Sequence, residues 1–149
     1  MDNARLKNMY QEMILEHNKS PRNFGPLDCH THYGHGKNPL CGDDYEFFLD
    51  IKDDVIESIG FTGDGCAISK SSASMLTTMV KGKQIGESRK LSETFLDFIL
   101  NEGSNESLGK LKIFEGVKQF PVRVKCATLS WRALEQALLN TKHIASTEA

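Results

Sequence analysis

The pattern of the chain predicts a fold in which several helices accompany one antiparallel β-hairpin. Apolar and polar residues alternate along residues 45–51, and a second, less regular apolar pattern follows along residues 55–62 after the turn signal Asp53-Asp54. Helical stripes of apolar residues occur both before and after this hairpin. Because 149 residues are enough for one hydrophobic core and few for two, we expect a single domain over residues 1–149.

The first twenty residues predict an amphipathic helix that docks on the rest of the domain. Its apolar stripe has members three and four residues apart: Leu6, Met9, Tyr10, Met13, Ile14 and His17. Pro21 ends this helix, because the residue before a proline is pushed out of the helical region. Residues 21–40 are rich in Gly, Pro, Asn and His, and they are predicted to form a long irregular loop. Long ordered loops in compact domains are usually functional.

Two helices and a helical turn are predicted after the hairpin. The glycines of residues 63–65 break the second strand, and a helix rich in small residues follows over residues 67–80, closed by Gly82. A second helix covers residues 91–100, and a short helical turn is expected over residues 108–117. Cys66 therefore lies at the start of the first of these helices.

The last helix is expected to begin at Cys126. Residues 120–125 are predicted to be extended, and the apolar residues that follow, with Trp131, define the helix. Both Cys66 and Cys126 are thereby placed at helix starts. There, unpaired N–H groups and the positive end of the helix dipole lower the pKa of a thiol. The cationic side chains of Arg123 and Lys125 would add to this effect.

The composition excludes several classes of function. Eighteen basic and twenty acidic side chains give a formal net charge of -2 without blocks of like charge, so we expect no nucleic-acid partner. The N-terminal segment lacks the apolar core of a signal peptide, and no apolar run approaches the length of a membrane span. We therefore expect a cytoplasmic protein without a membrane partner. In a reducing compartment its cysteines bind metal or react more often than they form disulfides.

Three widely separated cysteines and one aspartate form the candidate site. Cys41, Cys66 and Cys126 would supply thiolates, and the tripeptide Cys41-Gly42-Asp43 adds a carboxylate. Structural zinc sites normally use Cys or His at every position, whereas a carboxylate is a harder, more exchangeable ligand. The set therefore favours a metal site that opens over one that only supports the fold, although a structural zinc in a partner-binding protein stays an alternative.

A second group of possible ligands lies in the predicted loop. Cys29, His30, His32 and His35 fall within seven residues. Because this segment has no predicted secondary structure to preorganise it, we interpret these side chains as incidental loop residues and leave their role open.

The motifs around the candidate ligands resemble those of the IscU/NifU N-terminal family of iron–sulfur cluster assembly proteins, most closely its SufU branch. They span nearly the whole chain: Pro-Arg-Asn-Phe-Gly at 21–25, Asn-Pro-Leu-Cys-Gly-Asp at 38–43, Gly-Asp-Gly-Cys-Ala-Ile-Ser at 63–69 and Val-Arg-Val-Lys-Cys-Ala-Thr-Leu-Ser-Trp at 122–131. IscU-type members have a histidine where this chain has Lys125, and a Leu-Pro-Pro-Val-Lys motif where it has Phe-Pro-Val-Arg at 120–123. The stretch between Cys66 and Cys126 is also longer than in IscU, as in the SufU branch.

The resemblance implies an α+β fold with a small antiparallel sheet of about three strands packed against several helices. It implies a metal site made of Cys41, Asp43, Cys66 and Cys126, with Zn²⁺ as the ion. In that role Cys41 accepts persulfide sulfur from a pyridoxal-phosphate cysteine desulfurase of the SufS kind, and Arg123 pairs with Asp43 when the metal shifts.

The alternative that the resemblance implies is a scaffold on which iron and a labile [2Fe–2S] cluster are assembled and handed to cluster-accepting proteins. At most, then, the chain is a zinc-dependent sulfurtransferase; otherwise it is a scaffold without enzymatic activity. The native metal and the oligomeric state stay open at this stage.

Overall fold

The structure is a computed structural model that describes residues 3–101, 103–139 and 145–146. It contains the following elements in chain order: α1 (Asn3–Lys19), β1 (His32–Asn38), β2 (Asp43–Lys52), β3 (Val55–Asp64), α2 (Ala67–Val80), α3 (Ile85–Leu100), a 3₁₀ helix (Gly109–Gln119), α4 (Pro121–Leu139) and β4 (Ala145–Ser146). The sheet has the order β3-β2-β1-β4, with β1, β2 and β3 antiparallel and the two-residue β4 parallel to β1. The prediction of an α+β fold with a small antiparallel sheet and several helices is confirmed.

The predicted hairpin is strands β2 and β3. Asp53 and Asp54 connect the strands with φ of 51° and 62°, which is the left-handed backbone that a tight two-residue hairpin turn requires. Alternate residues of β2, among them Tyr45 and Phe47, lie on the buried face of the sheet. Phe47 stacks on Phe61 of β3 with the ring centroids 5.7 Å apart.

Strand β1 corrects the prediction that residues 21–40 form an irregular loop. Its two glycines, which suggested a loop, lie where the sheet meets α4. A Cβ at Gly34 would collide with the carbonyl oxygen of Ala133, and one at Gly36 would lie 3.2 Å from Leu129. These glycines therefore permit close packing of a helix on a strand. Glycine is also common in loops, so the local sequence pattern does not distinguish the two cases.

Helix α4 corrects the prediction that residues 120–125 are extended. It begins at Pro121, directly after Phe120, which has an extended backbone with φ −124° and ψ 100°. Proline suits the first position of a helix, because the N–H that it lacks would have no partner there and its φ is already helical. As a consequence Cys126 lies in the second turn of α4 and not at the helix start.

The helices cover the buried face of the sheet and supply the rest of one hydrophobic core. Trp131 of α4 is fully buried and packs on Phe95 of α3, with the ring centroids 5.0 Å apart. Helix α3 begins at Ile85, six residues before the predicted start, and the predicted helical turn at 108–117 is the 3₁₀ helix. Within the described ranges no helix has both the length and the apolar character needed to cross a membrane.

Candidate metal centre

Asp43 reaches the site from the first position of β2. It lies on the same face of the strand as Tyr45 and is 1% exposed, because alternate residues of a strand point to the same side. The connection before it, residues 39–42, turns tightly: the backbone N–H groups of Cys41 and Gly42 both donate to the carbonyl oxygen of Asn38. Gly42 has a φ of 75°, which glycine adopts without steric cost.

Cys66 is the N-cap residue of α2, as the sequence predicted. Its sulfur accepts a hydrogen bond from the backbone N–H of Ser69 at 3.4 Å, and its own N–H donates to Oδ1 of Asp43 at 3.0 Å. The Asp43 side chain at the start of β2 therefore bonds directly to the Cys66 backbone at the start of α2.

Cys126 completes the group from α4. It is 3% exposed, and the neighbouring backbone is fixed to α2 by the Ser72 hydroxyl, which donates to the carbonyl oxygen of Ala127 at 2.6 Å. The ligand atoms of Asp43, Cys66 and Cys126 all lie within 4.8 Å of one another. We call these three residues the ligand group.

The two thiols of the ligand group have opposite pKa shifts. The Cys126 thiol donates a hydrogen bond to the Cys66 sulfur, which is the main reason why the pKa of Cys66 falls to about 6; burial opposes this shift, and the Ser69 N–H reinforces it. The same hydrogen bond, with burial, raises the pKa of Cys126 far above that of an ordinary thiol. The prediction that a helix start lowers the pKa of both cysteines is therefore confirmed in direction for Cys66 and wrong for Cys126, which is buried in the second turn.

The residues present fit a thiophilic divalent cation. Oδ2 of Asp43 is buried and makes no hydrogen bond to any described residue, and an unpaired buried carboxylate oxygen is costly unless a cation or donor satisfies it. Two sulfur donors and one carboxylate oxygen suit Zn²⁺ and leave a position for a fourth ligand.

Gly65 keeps space open beside the ligand group. A Cβ at this position would collide with the Asp43 carboxylate and would lie 2.6 Å from Oγ of Ser69 and 2.7 Å from the Tyr45 hydroxyl. Any side chain at residue 65 would therefore push on the carboxylate and on both hydroxyl groups behind it.

Cys41 lies outside the ligand group in this structure. It is exposed and sits on the connection between β1 and β2, residues 39–42, which we call the Cys41 connection. The structure thus gathers three of the four predicted ligands, and the fourth, Cys41, is exposed two residues before Asp43.

The two supporting cations predicted from the sequence lie on α4 ahead of Cys126. The Arg123 guanidinium lies over the Phe120 ring, 4.5 Å from its centroid. Lys125 is partly buried. The supporting roles of both residues stay predictions.

The histidines of the second candidate group make separate contacts. His35 contacts Asp44 with Nε2 2.6 Å from Oδ1, His32 contacts the Thr31 hydroxyl, and the His30 ring packs on Phe48. Cys29 is exposed. In the described part of the chain the ligand group alone gathers three such side chains. The interpretation of the second group as incidental stays a prediction.

Sequence reasoning missed two hydroxyl groups behind the site. The Tyr45 hydroxyl lies 2.9 Å from Oγ of Ser69, and that oxygen in turn donates to the carbonyl oxygen of Cys66. Burial raises the pKa of the Tyr45 phenol above its ordinary value, so it stays protonated. A signal existed for both residues: Tyr45 is two positions after Asp43 on the same strand, and Ser69 is three positions after the cap of a helix.

Comparison with known proteins places these features in a family. The profile of the NifU-like N terminal domain matches residues 9–147. The chain is 40% identical over 138 residues to the zinc-dependent sulfurtransferase SufU of Bacillus subtilis, covering 91% of this chain and 93% of that protein. It is 34% identical over 146 residues to the iron–sulfur cluster assembly scaffold protein IscU of Streptococcus pyogenes, covering 95% of this chain and 91% of that protein.

A crystal structure shows the same fold. It is that of an iron–sulfur cluster assembly scaffold protein for the SUF system from Fervidobacterium islandicum, with a TM-score of 0.82 and 32% sequence identity. The match covers 85% of this chain and 94% of that one.

Proposed function

Because the chain belongs to the NifU-like N-terminal domain family, we propose that it acts in iron–sulfur cluster assembly as a zinc-bound acceptor of persulfide sulfur. The partner that supplies the sulfur is a pyridoxal-phosphate cysteine desulfurase, and Cys41 is the acceptor. The observation that supports this most strongly is that Asp43, Cys66 and Cys126 converge on one point, while the third cysteine of the set, Cys41, is exposed two residues before Asp43. Similarity to a relative named as a zinc-dependent sulfurtransferase agrees with that arrangement.

Asp43, Cys66 and Cys126 would hold the zinc ion, with Cys41 as the fourth ligand. When bound, the ion keeps its thiol ligands deprotonated and moderates their nucleophilicity. The protein contributes the positions: α2 and α4 fix two sulfurs, and the N–H of Cys66 orients the Asp43 carboxylate. Cys41 is on a connection whose described hydrogen bonds are those of its backbone to Asn38, so its side chain can turn toward the ligand group or toward a partner.

Sulfur transfer to Cys41 is a thiol exchange that needs no added oxidant or reductant. The Cys41 thiolate attacks the outer sulfur of the persulfide on the desulfurase and forms a new S–S bond. The S–S bond of the donor breaks, and its cysteine leaves as a thiolate. Cys41 then holds the persulfide, whose outer sulfur is available to cluster assembly.

The test is sulfur release by the desulfurase in the presence of this protein. Cys41→Ala should abolish both the stimulation of cysteine turnover and the persulfide mass increase of 32 Da, the mass of one sulfur atom. Cys29→Ala is the matched control, because Cys29 is also exposed and free, and it should behave as the unsubstituted protein. Full stimulation by Cys41→Ala would defeat the proposal.

A second candidate function is a scaffold for a labile [2Fe–2S] cluster, in which iron takes the place of zinc. The same cysteines suit it, and a relative named as a scaffold protein covers most of the chain. Cluster-accepting proteins would then be the partners. Anaerobic reconstitution with iron and sulfide separates the two: a stoichiometric cluster that moves to an acceptor protein favours the scaffold, and sulfur transfer without such a cluster favours the zinc-bound acceptor.

Asp43→Ala tests whether the metal only supports the fold. A structural zinc predicts weaker folding with sulfur transfer retained. The proposed role predicts that sulfur transfer falls along with zinc affinity. Metal analysis of protein purified without added metal completes this test. Zn²⁺ displaces Fe²⁺ at most thiolate sites, so a zinc content shows what the site binds most tightly and not which metal it uses in the cell.

A further inference from the structure

Asn38 is a buried amide without a hydrogen-bond partner, next to the metal centre. It is the last residue of β1 and is 0% exposed, and neither Nδ2 nor Oδ1 makes a hydrogen bond to the described parts of the chain. A buried carboxamide left in this state costs roughly 1–3 kcal/mol. Buried polar groups in native proteins almost always have a hydrogen-bond partner, so this amide calls for an explanation.

The strand register places Asn38 opposite Asp43. The two residues are paired across β1 and β2, and both side chains are on the buried face. Directly opposed residues have Cβ atoms about 4.5–5.5 Å apart. Asn38 has an N–H₂ group without an acceptor, and Asp43 has Oδ2 without a donor among the described residues. The Asn38 amide can therefore supply the donor that Oδ2 of Asp43 lacks, and that oxygen can supply the acceptor that the amide lacks.

The packing of β1 on α4 directs Asn38 toward the same site from the other side. A Cβ at Gly34 would contact Ala133 and Ala137, and one at Gly36 would contact Leu129 and Ala133. A step of two residues along β1, from Gly34 to Gly36, thus moves the contact by about one turn toward the start of α4. A further step of two residues, from Gly36 to Asn38, moves it by one more turn and places Asn38 beside the turn of α4 that contains Cys126.

The backbone of Asn38 also fixes the Cys41 connection. Its carbonyl oxygen accepts from the N–H of Cys41 at 3.2 Å and from the N–H of Gly42 at 2.9 Å. One residue therefore contacts the loop that holds the fourth sulfur and, with its side chain, faces the carboxylate ligand.

We propose that Asn38 is a positioning residue of the metal centre, whose side-chain N–H donates to the Asp43 carboxylate and fixes it as a ligand. The proposal rests on the metal site of the proposed function. Partners of this kind are hydrogen-bonded to ligands in many metal sites, and their loss commonly weakens metal affinity by about 10–100-fold. Here the donor is supplied by the neighbouring strand and is therefore rigid.

The test measures zinc loss and not activity. Zinc-loaded protein is mixed with a chromophoric chelator, and the rate of zinc transfer is recorded for Asn38→Leu, which keeps the branching of the side chain and removes the amide. We expect zinc to leave about tenfold faster or more. In the Co²⁺-substituted protein the visible ligand-field bands should shift, while the thiolate charge-transfer bands stay, because Cys66 and Cys126 remain ligands.

A double-mutant cycle shows whether the effect acts through Asp43. Once Asp43→Ala has removed the carboxylate, adding Asn38→Leu should not accelerate zinc loss further. An equal acceleration in both backgrounds, or none in the single variant, would overturn the proposal. Asn38→Ala repeats the cycle with a smaller side chain should the leucine variant not fold.

Ser92→Ala is the matched control for removing a buried polar group. Its hydroxyl is also buried and has no partner among the described residues, but it lies on α3, which contributes nothing to the ligand group. It should leave zinc loss unchanged. Should Asp43→Ala itself leave zinc loss unchanged, the metal assignment fails; should Asp43→Ala accelerate it and Asn38→Leu not, only the role of Asn38 fails.

Discussion

The ligand group and the Cys41 connection are adjacent in space and opposite in construction. Asp43 and Cys126 are buried, and Cys66, although exposed, is held at the start of α2 by the Ser69 N–H on its sulfur and by its own N–H on the Asp43 carboxylate. Two helices and a strand therefore fix the three ligand atoms. Cys41 is exposed, and the described hydrogen bonds of its connection are backbone bonds to Asn38. A site that holds an ion and also presents one sulfur to another protein needs both kinds of construction. Fixed positions are therefore confined to the ligands that do not have to move.

The same Gly→Ala change in the two regions should have very different results, and the larger effect is expected at Gly65. A Cβ there collides with the Asp43 carboxylate and would lie 2.6 Å from Oγ of Ser69. We expect zinc affinity to fall by about 10–100-fold, as for other disturbed ligand supports. The measurement is competition with a chelator of known affinity. Unchanged affinity would mean that the ligand group is not held rigidly.

The second prediction concerns the hydrogen bond between the two thiols. In metal-free protein, alkylation of Cys66 should fall as the pH decreases through about 6, because the Cys126 thiol stabilises the Cys66 thiolate. Removing the donor in Cys126→Ala should move this midpoint up toward that of an ordinary thiol. Since a more basic thiolate is also more nucleophilic, we expect a net loss of about tenfold in the rate at pH 6.

Peptide-resolved mass spectrometry measures this profile for Cys66 separately from the exposed Cys29 and Cys41. The Cys29 profile in the same samples is an internal control and should not respond to Cys126→Ala. A midpoint for Cys66 that stays near 6 in the variant would show that the helix start, and not Cys126, lowers its pKa.

The third prediction tests the hydroxyl groups that support the ligand group. Tyr45→Phe removes the contact with Ser69 and leaves the Ser69 hydroxyl donating to Cys66. We expect a loss of about 1 kcal/mol in the free energy of unfolding, the usual net value of one hydrogen bond. Zinc loss should accelerate by a few-fold at most. Denaturant unfolding of the metal-free protein and chelator-driven zinc transfer measure the two quantities.

The features that were predicted best from the sequence are those set by residues close together in the chain. Cys66 was placed correctly because a helix cap is a local feature. Cys126 was misplaced because Pro121 suits both an extended segment and a first helical turn, and packing against the core decides between them. Strand β1 was missed because Gly34 and Gly36 meet α4, a contact about a hundred residues away in the chain.

The candidate site was predictable from residue type, but its division into two regions was not. Cys41, Asp43, Cys66 and Cys126 were identified as one set, because thiolates and a carboxylate suit the same ion. Which of them is fixed depends on burial and on pairings such as that of Asn38 with Asp43. Such pairings are set by strand register, which a single sequence specifies only through the completed fold.

Gly42→Ala should have the smallest effect on the rate of zinc loss. For that reason it tests most directly whether the Cys41 connection is separate from the ligand group. Apart from its two neighbours in the chain, no described residue lies within 4 Å of the Cβ it would add, but its φ of 75° is unfavourable for alanine. The variant should therefore lose about 1 kcal/mol of stability through backbone strain. Chelator-driven zinc loss should accelerate little, because Asp43, Cys66 and Cys126 are held by β2, α2 and α4 and only the fourth ligand, Cys41, lies on the strained connection. Sulfur transfer to Cys41 should fall, since the connection that presents this cysteine is the part under strain. If zinc loss accelerates as much as in Gly65→Ala, then the connection is part of the rigid site, and the two regions are one.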